Sequence, residues 1–268
     1  MRPPLSRLET LLLALCCGLL LLALAAPGLA QPALQHDFAD RRALAGIPFA
    51  CDVLSNLPFA LAGLGGMAAL VLAGPRALSN AERAMAWLFF VGLLLTAFAS
   101  IWYHLRPDDA GLALDRGGMA IAFAGLLGLA VAGRISGRAG AALGLALLAA
   151  GPLAVAVWAR SGNVLPWAVL QFGGMGLVLW LACMRPRPGA LRIRWSLVIL
   201  AYGAAKLLEV NDHTLYTLTG ELVSGHTLKH LVASLAAWPV VCTVWALAPA
   251  RQNAAGQRQN DNNMRRAA

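Results

Sequence analysis

Eight mostly apolar runs dominate this chain, at about residues 10–26, 51–72, 84–103, 112–132, 139–158, 164–183, 195–208 and 225–247, with short polar breaks between them. About 20 apolar residues cross the hydrocarbon core of a bilayer as a helix, so each run is long enough to span, the seventh with its flanks. Membrane strands would alternate apolar and polar residues over about ten positions. These runs are too long, too continuous and too rich in Ala, Leu and Gly for that. Hydrophobic residues make up 59% of the 268 residues, charged residues 12%, and the mean hydropathy is +0.68, so a soluble globule could not hide its apolar surface. The expected class is an all-α integral membrane protein, a bundle of seven transmembrane helices plus one extra N-terminal span.

The first run follows Arg2 and Arg7 and ends near residues 28–30, a layout shared with signal peptides. Its apolar core is long for one, which favours an uncleaved anchor. The expected organisation is an anchor or signal peptide over 1–30, a polar periplasmic segment over 31–46, a seven-helix domain over 47–250, and a disordered cytoplasmic tail over 251–268 that is rich in Gln, Asn and Arg.

Cytoplasmic loops of membrane proteins carry the excess of Lys and Arg. Arginines fall in alternate breaks here: Arg76 and Arg83, Arg134 and Arg138, then four between 185 and 194, then those beyond 250, on the same side as Arg2 and Arg7. Fewer, including Arg41, Arg42, Arg106, Arg116 and Arg160, fall on the other side. Both termini are expected in the cytoplasm if the first span is kept. Loop bias of this kind accounts for the net charge of +9, so nucleic acid is not an expected partner; the membrane is.

Two polar constellations interrupt the apolar pattern. Ser224-Gly225-His226-Thr227-Leu228-Lys229-His230 opens the last span with imidazoles four residues apart, on one helix face and one turn from each other. Ser100-Ile101-Trp102-Tyr103-His104 closes the third span, and Asp115 begins the fourth eleven residues later. The arginine-derived topology puts Ser100, His104, Asp115, His226 and His230 at one membrane level, on the non-cytoplasmic side. Ionisable residues inside spans are costly and mark functional cavities. Three convergent histidines with one position left for solvent is the arrangement of a catalytic zinc, whereas structural zinc takes four protein ligands and favours cysteine. Ser224 is suited to cap its helix, whose positive end keeps His226 neutral, the form a metal needs.

These residues resemble the alkaline ceramidase family, in particular its bacterial branch, within the superfamily of seven-span zinc hydrolases that includes the adiponectin-type receptors. Four stretches carry the resemblance: Asp37-Phe38-Ala39-Asp40-Arg41-Arg42 with Gly46-Ile47-Pro48; Asp52-Val53-Leu54-Ser55-Asn56-Leu57-Pro58-Phe59; Ser100 to His104 with Asp115-Arg116; and Lys206, Glu209 and Asp212 leading into Ser224 to His230. It runs from about His36 to Ala237, and the eleven-residue interval from His104 to Asp115 is similar to the ceramidase branch rather than the receptors. The resemblance implies a zinc-dependent amidase in the bacterial inner membrane that cuts the N-acyl bond of ceramide or a related N-acyl lipid. His104, His226 and His230 would hold zinc, Asp115 would serve as proton carrier and Ser100 as oxyanion donor. Animal members carry a calcium site in a dense acidic motif; the nearest equivalent here offers only Asp37, Asp40 and Asp52, and the alternative is that these acids pair with Arg41 and Arg42. Calcium wants six to eight oxygens.

Other polar residues have plainer readings. Asp52 and Asn56 either line the cavity or satisfy backbone where Pro58 breaks a span. Lys206 and Glu209 suit an ion pair supporting the site, and Lys229 either snorkels or pairs with Asp212. Tyr103 could contact substrate, Trp102, Trp158 and Trp167 suit the membrane interface, and His36 and His213 suit solvated loops. The five cysteines lack metal spacing and suit packing. Two rival functions stand beside the hydrolase: a receptor sharing the zinc site, and a haem or proton-relay protein.

Overall fold

The computed structural model describes residues 4–31 and 35–248. Their regular structure is helical: α1 (Arg7–Ala25), α2 (Ala50–Leu54), α3 (Leu57–Ala73), α4 (Asn80–Leu105), α5 (Asp109–Arg134), α6 (Gly137–Ser161), α7 (Leu165–Ala182), α8 (Trp195–Val210), α9 (Asp212–Leu218), α10 (Gly225–Leu235) and α11 (Trp238–Trp245). The tail expected to be disordered, 251–268, lies outside the described residues.

Among the described residues seven helical stretches are long and apolar enough to cross a membrane: α1, α2 with α3, α4, α5, α6, α7, and α10 with α11. The expected count of seven plus one is met only in part. Helix α8 packs within the bundle against α7 and α10, but its 16 residues rise only about 24 Å before the chain turns at Asn211 into α9. Two spans are broken rather than continuous. The break at Ser55 and Asn56 precedes Pro58, and the break at Ala236 and Ala237 precedes Pro239; each proline sits in the first turn of the helix that follows, where its missing N–H costs nothing.

Polar side chains start the long helices. Ser79, Asp108, Ser136 and Ser224 each accept a backbone N–H from the residue three further on, a cap contributing about 1 kcal/mol. Outward faces are apolar, as at Val71, Phe98, Leu153 and Leu200. Lipid removes the hydrophobic drive between helices, so close approach of small residues must hold them together. The α4–α5 seam does this. A Cβ on Gly92 or Gly125 would collide with the backbone of Ala122 or Phe89, and one on Gly118 would lie 2.8 Å from the Thr96 nitrogen.

The arginine-bearing loops gather at one end. Glu9 accepts from Ser136 and Arg138 at 2.6 and 2.7 Å, the Arg187 N–H donates to the Gly133 carbonyl, and the Leu191 N–H donates to Glu82 at 2.9 Å. Residues 28–31 and 35–49 drape over the opposite end: the Leu29 N–H donates to Asn163, Arg116 to Gln31, and the Ala39 N–H to Asp212.

Candidate metal centre

Helix α4 carries His104 on its last turn, and α10 carries His226 and His230 on one face of its first two turns. At the draped end the three rings meet edge to face, with centroids 4.9, 5.0 and 4.9 Å apart. One nitrogen from each lies within 4.8 Å of the others, so the cluster could hold a metal ion; no other such group of His, Cys, Asp or Glu occurs among the described residues. His104 Nε2 and His226 Nε2 are 3.3 Å apart. Exposures of 0%, 7% and 6% put all three inside the protein. Rings nested this closely leave no room for a macrocycle, which argues against haem.

Local sequence explains the convergence. Ser224 caps α10 by accepting the Thr227 N–H at 3.0 Å, as its position suggests. Gly225 lets the helix start against the end of α8, because a Cβ there would strike the Leu208 carbonyl oxygen and lie 2.8 Å from the Asp212 Cα. Asp212 accepts the His226 N–H at 2.7 Å and the Ala39 N–H at 3.0 Å. Lys229 therefore does not pair with Asp212, whose oxygens these N–H groups occupy; it pairs with Glu209 at 2.7 Å, and Lys206 pairs with the other Glu209 oxygen at 2.6 Å.

Ser100 lies one turn before His104 and is 2% exposed. Together with Asp115 and His230 it lines an inner cavity of about 110 Å³ whose remaining walls are largely apolar, among them Phe59, Leu93 and Phe123. Asp115, Lys206, Glu209 and Lys229 also line a wider vestibule of about 740 Å³, which Tyr103 and His226 border. A narrow apolar extension between α5, α7 and α8 shares Phe123 and Leu126 with the inner cavity.

The remaining expected residues divide. Asn56 lines the inner cavity and also donates to the Asp52 carbonyl at 2.8 Å, so both of its readings hold. The Asp52 carboxylate accepts the Thr227 hydroxyl at 2.6 Å, tying α2 to α10. Asp40 is paired with Arg42 at 2.7 Å and Asp37 with Arg41, so the arginine pairing read from the sequence is the arrangement present. The Arg42 hydrogen bond holds the Asp40 carboxyl below the usual carboxylate range. His36 is not a solvated loop residue: its Nδ1 is 2.8 Å from the Tyr103 hydroxyl and its Nε2 3.0 Å from Asp109, because the draped segment lies on α4 and α5. His213 stays largely exposed, 3.0 Å from the Asp37 carbonyl. Trp102 faces outward, but Trp158 and Trp167 are buried around Arg116 rather than set at an interface.

Two contributors carry no chemical signal in the sequence. Phe38 is buried, with its ring 4.7 and 4.5 Å from those of His104 and His226, roofing the cluster. Ser55 donates to the Asp52 carbonyl at 2.9 Å, which leaves its oxygen free to accept from His230 Nδ1, 2.8 Å away. The His230 tautomer so favoured keeps its proton on Nδ1 and turns the Nε2 lone pair toward the other rings.

Fold and site together define an all-helical protein of membrane-spanning character that buries a three-histidine cluster able to hold a metal ion. Compared with models of known protein families the chain matches none, and no curated protein matches its sequence.

Proposed function

We propose that this chain is a membrane-embedded, zinc-dependent amidase of the alkaline ceramidase type, hydrolysing the N-acyl bond of ceramide or a related N-acyl lipid to a fatty acid and an amine. The observation that carries the reading is the 3.3 Å between His104 Nε2 and His226 Nε2, in a buried cluster beside Asp115 and an apolar cavity. Ligand nitrogens about 2.0–2.1 Å from a tetrahedral zinc stand about 3.3–3.4 Å apart, which the pair of His104 and His226 matches, with a His230 nitrogen within 4.8 Å of both. His104, His226 and His230 would be the ligands, and a divalent ion there supplies Lewis acidity and acidifies water.

The chain's own groups do the rest. Asp115 takes the proton of the attacking water and delivers it to the departing amine nitrogen as the C–N bond breaks. The Ser100 hydroxyl donates to the carbonyl oxygen as charge develops there. Ser55 fixes the His230 tautomer, and Phe38 keeps bulk water off the rings. The apolar cavity and its extension between α7 and α8 accommodate an acyl chain, so only the amide meets polar groups. All eight apolar helices, α8 included, span the bilayer in this reading, with the arginine-rich end in the cytoplasm and the site toward the periplasm of a bacterial inner membrane.

The test is fatty-acid release by purified protein from a panel of N-acyl lipids, read by mass spectrometry beside His226→Ala. Release that depends on the metal and is lost in the variant is expected. Equal release by both proteins would defeat the amidase reading.

A further inference from the structure

Arg116 follows Asp115 on α5 and is 7% exposed. Its guanidinium carbon lies 4.1 Å from the centre of the Trp158 ring and 5.8 Å from that of Trp167, and one terminal nitrogen donates to Gln31 at 2.6 Å. Among the described residues the other terminal nitrogen is buried with no hydrogen-bond partner, and no carboxylate forms an ion pair with the group. A buried arginine without a counter-ion is costly, and within a membrane protein it marks a binding function by default. Stacking on Trp158 holds the guanidinium in place, as a preorganised anion receptor requires.

Arg116, Lys206 and Lys229 border the same vestibule from three helices. The two lysines share one carboxylate, Glu209. Of the other acids bordering it, Asp37 is taken by Arg41 and Asp212 by two backbone N–H groups. Asp115 also borders it, so the vestibule has four carboxylates to these three cations, and what distinguishes Arg116 is its unpaired guanidinium nitrogen rather than a net positive charge.

We propose that Arg116 receives a carboxylate on the amine side of the scissile amide, so that the substrate class is N-acyl amino acids rather than amides with a neutral headgroup. The inference rests on the amidase reading above. In an N-acyl amino acid the carboxylate is separated from the amide nitrogen by one carbon, and Arg116 and the proton carrier Asp115 border the same vestibule. Hydrolysis then adds water across the C–N bond, with the hydroxyl going to the acyl carbon and the proton to the amino acid nitrogen.

The test uses the full chain in nanodiscs and three probes: N-palmitoylglycine, its neutral counterpart N-palmitoylethanolamine, and palmitate. Binding is measured on chelator-treated protein and hydrolysis after zinc is restored. Palmitoylglycine is expected to bind at least about tenfold tighter than either other probe, as a charge-assisted pair allows. Arg116→Gln should bring it level with the ethanolamide, and Arg116→Lys should retain part of the preference. Wild-type selectivity decides even if Arg116→Gln fails to fold. Equal binding of the two amides, or equal binding of palmitate and palmitoylglycine, would overturn the proposal. A preserved preference for palmitoylglycine with neither amide cleaved would sink the amidase reading and leave the anion site standing.

Discussion

Removing the Ser55 hydroxyl should loosen a bound metal by about ten- to a hundredfold, although Ser55 is not a ligand. In Ser55→Ala the His230 Nδ1–H loses its 2.8 Å acceptor inside the protein. A buried donor left unpaired costs about 1–3 kcal/mol, and a ten- to hundredfold change in affinity is about 1.4–2.7 kcal/mol, so the two figures agree. A second route to the same loss lies close by. Asn56 Nδ2 is 3.5 Å from His230 Nδ1, and once the hydroxyl is gone the ring can move its proton to Nε2 and accept from Asn56 instead. The nitrogen facing the cluster then carries a hydrogen and cannot bind a metal. Competition with a chromogenic chelator on detergent-solubilised protein measures the loss, and Ser55→Thr, which keeps the hydroxyl, controls for packing. A Ser55→Ala protein that holds metal within twofold of wild type would refute the tautomer argument.

Asp115→Asn should retain metal while losing about 100- to 10,000-fold in turnover, as checked by elemental analysis beside fatty-acid release; loss of the ion would show instead that Asp115 belongs to the ligand set. Gly225→Ala should destabilise by about 1–3 kcal/mol, because the added carbon meets Leu208 and Asp212; thermal melts in detergent would contradict this if the variant melted with wild type. Asp40→Asn should melt lower than wild type at neutral pH. The Arg42 contact depresses the folded-state pKa of Asp40, so its contribution is present above the unfolded carboxylate pKa and fades as pH falls through the folded value. The two melting curves should therefore converge on acidification, and a gap independent of pH would contradict the assignment.

The helices and the histidine cluster were legible because each leaves a local trace. Long apolar runs define spans wherever they pack, and the spacing from His226 to His230 fixes a shared face before any tertiary contact is known. Ser224 announced its cap for the same reason. What the sequence could not convey depends on neighbours distant along the chain. Phe38 sits in a polar segment without periodicity, and only the fold lays it over His104. Ser55 resembles any serine near a proline break until α10 brings His230 beside it. Lys229 was offered Asp212 by proximity in sequence, but the turn at Asn211 spends that carboxylate on backbone and leaves Glu209 to the lysine. Trp158 and Trp167 lie near helix ends, where an interfacial site is the usual expectation; the cation on α5 drew them inward.

Asp212 has a dual attachment whose effect reaches past local geometry. A single carboxylate grips both the strap that crosses the histidine cluster, at Ala39, and the first turn of the helix that supplies two of its imidazoles, at His226. Lifting the strap to admit water therefore tugs on the ligand-bearing helix. Exposure of the centre and displacement of its ligand-bearing helix are thereby coupled through one carboxylate.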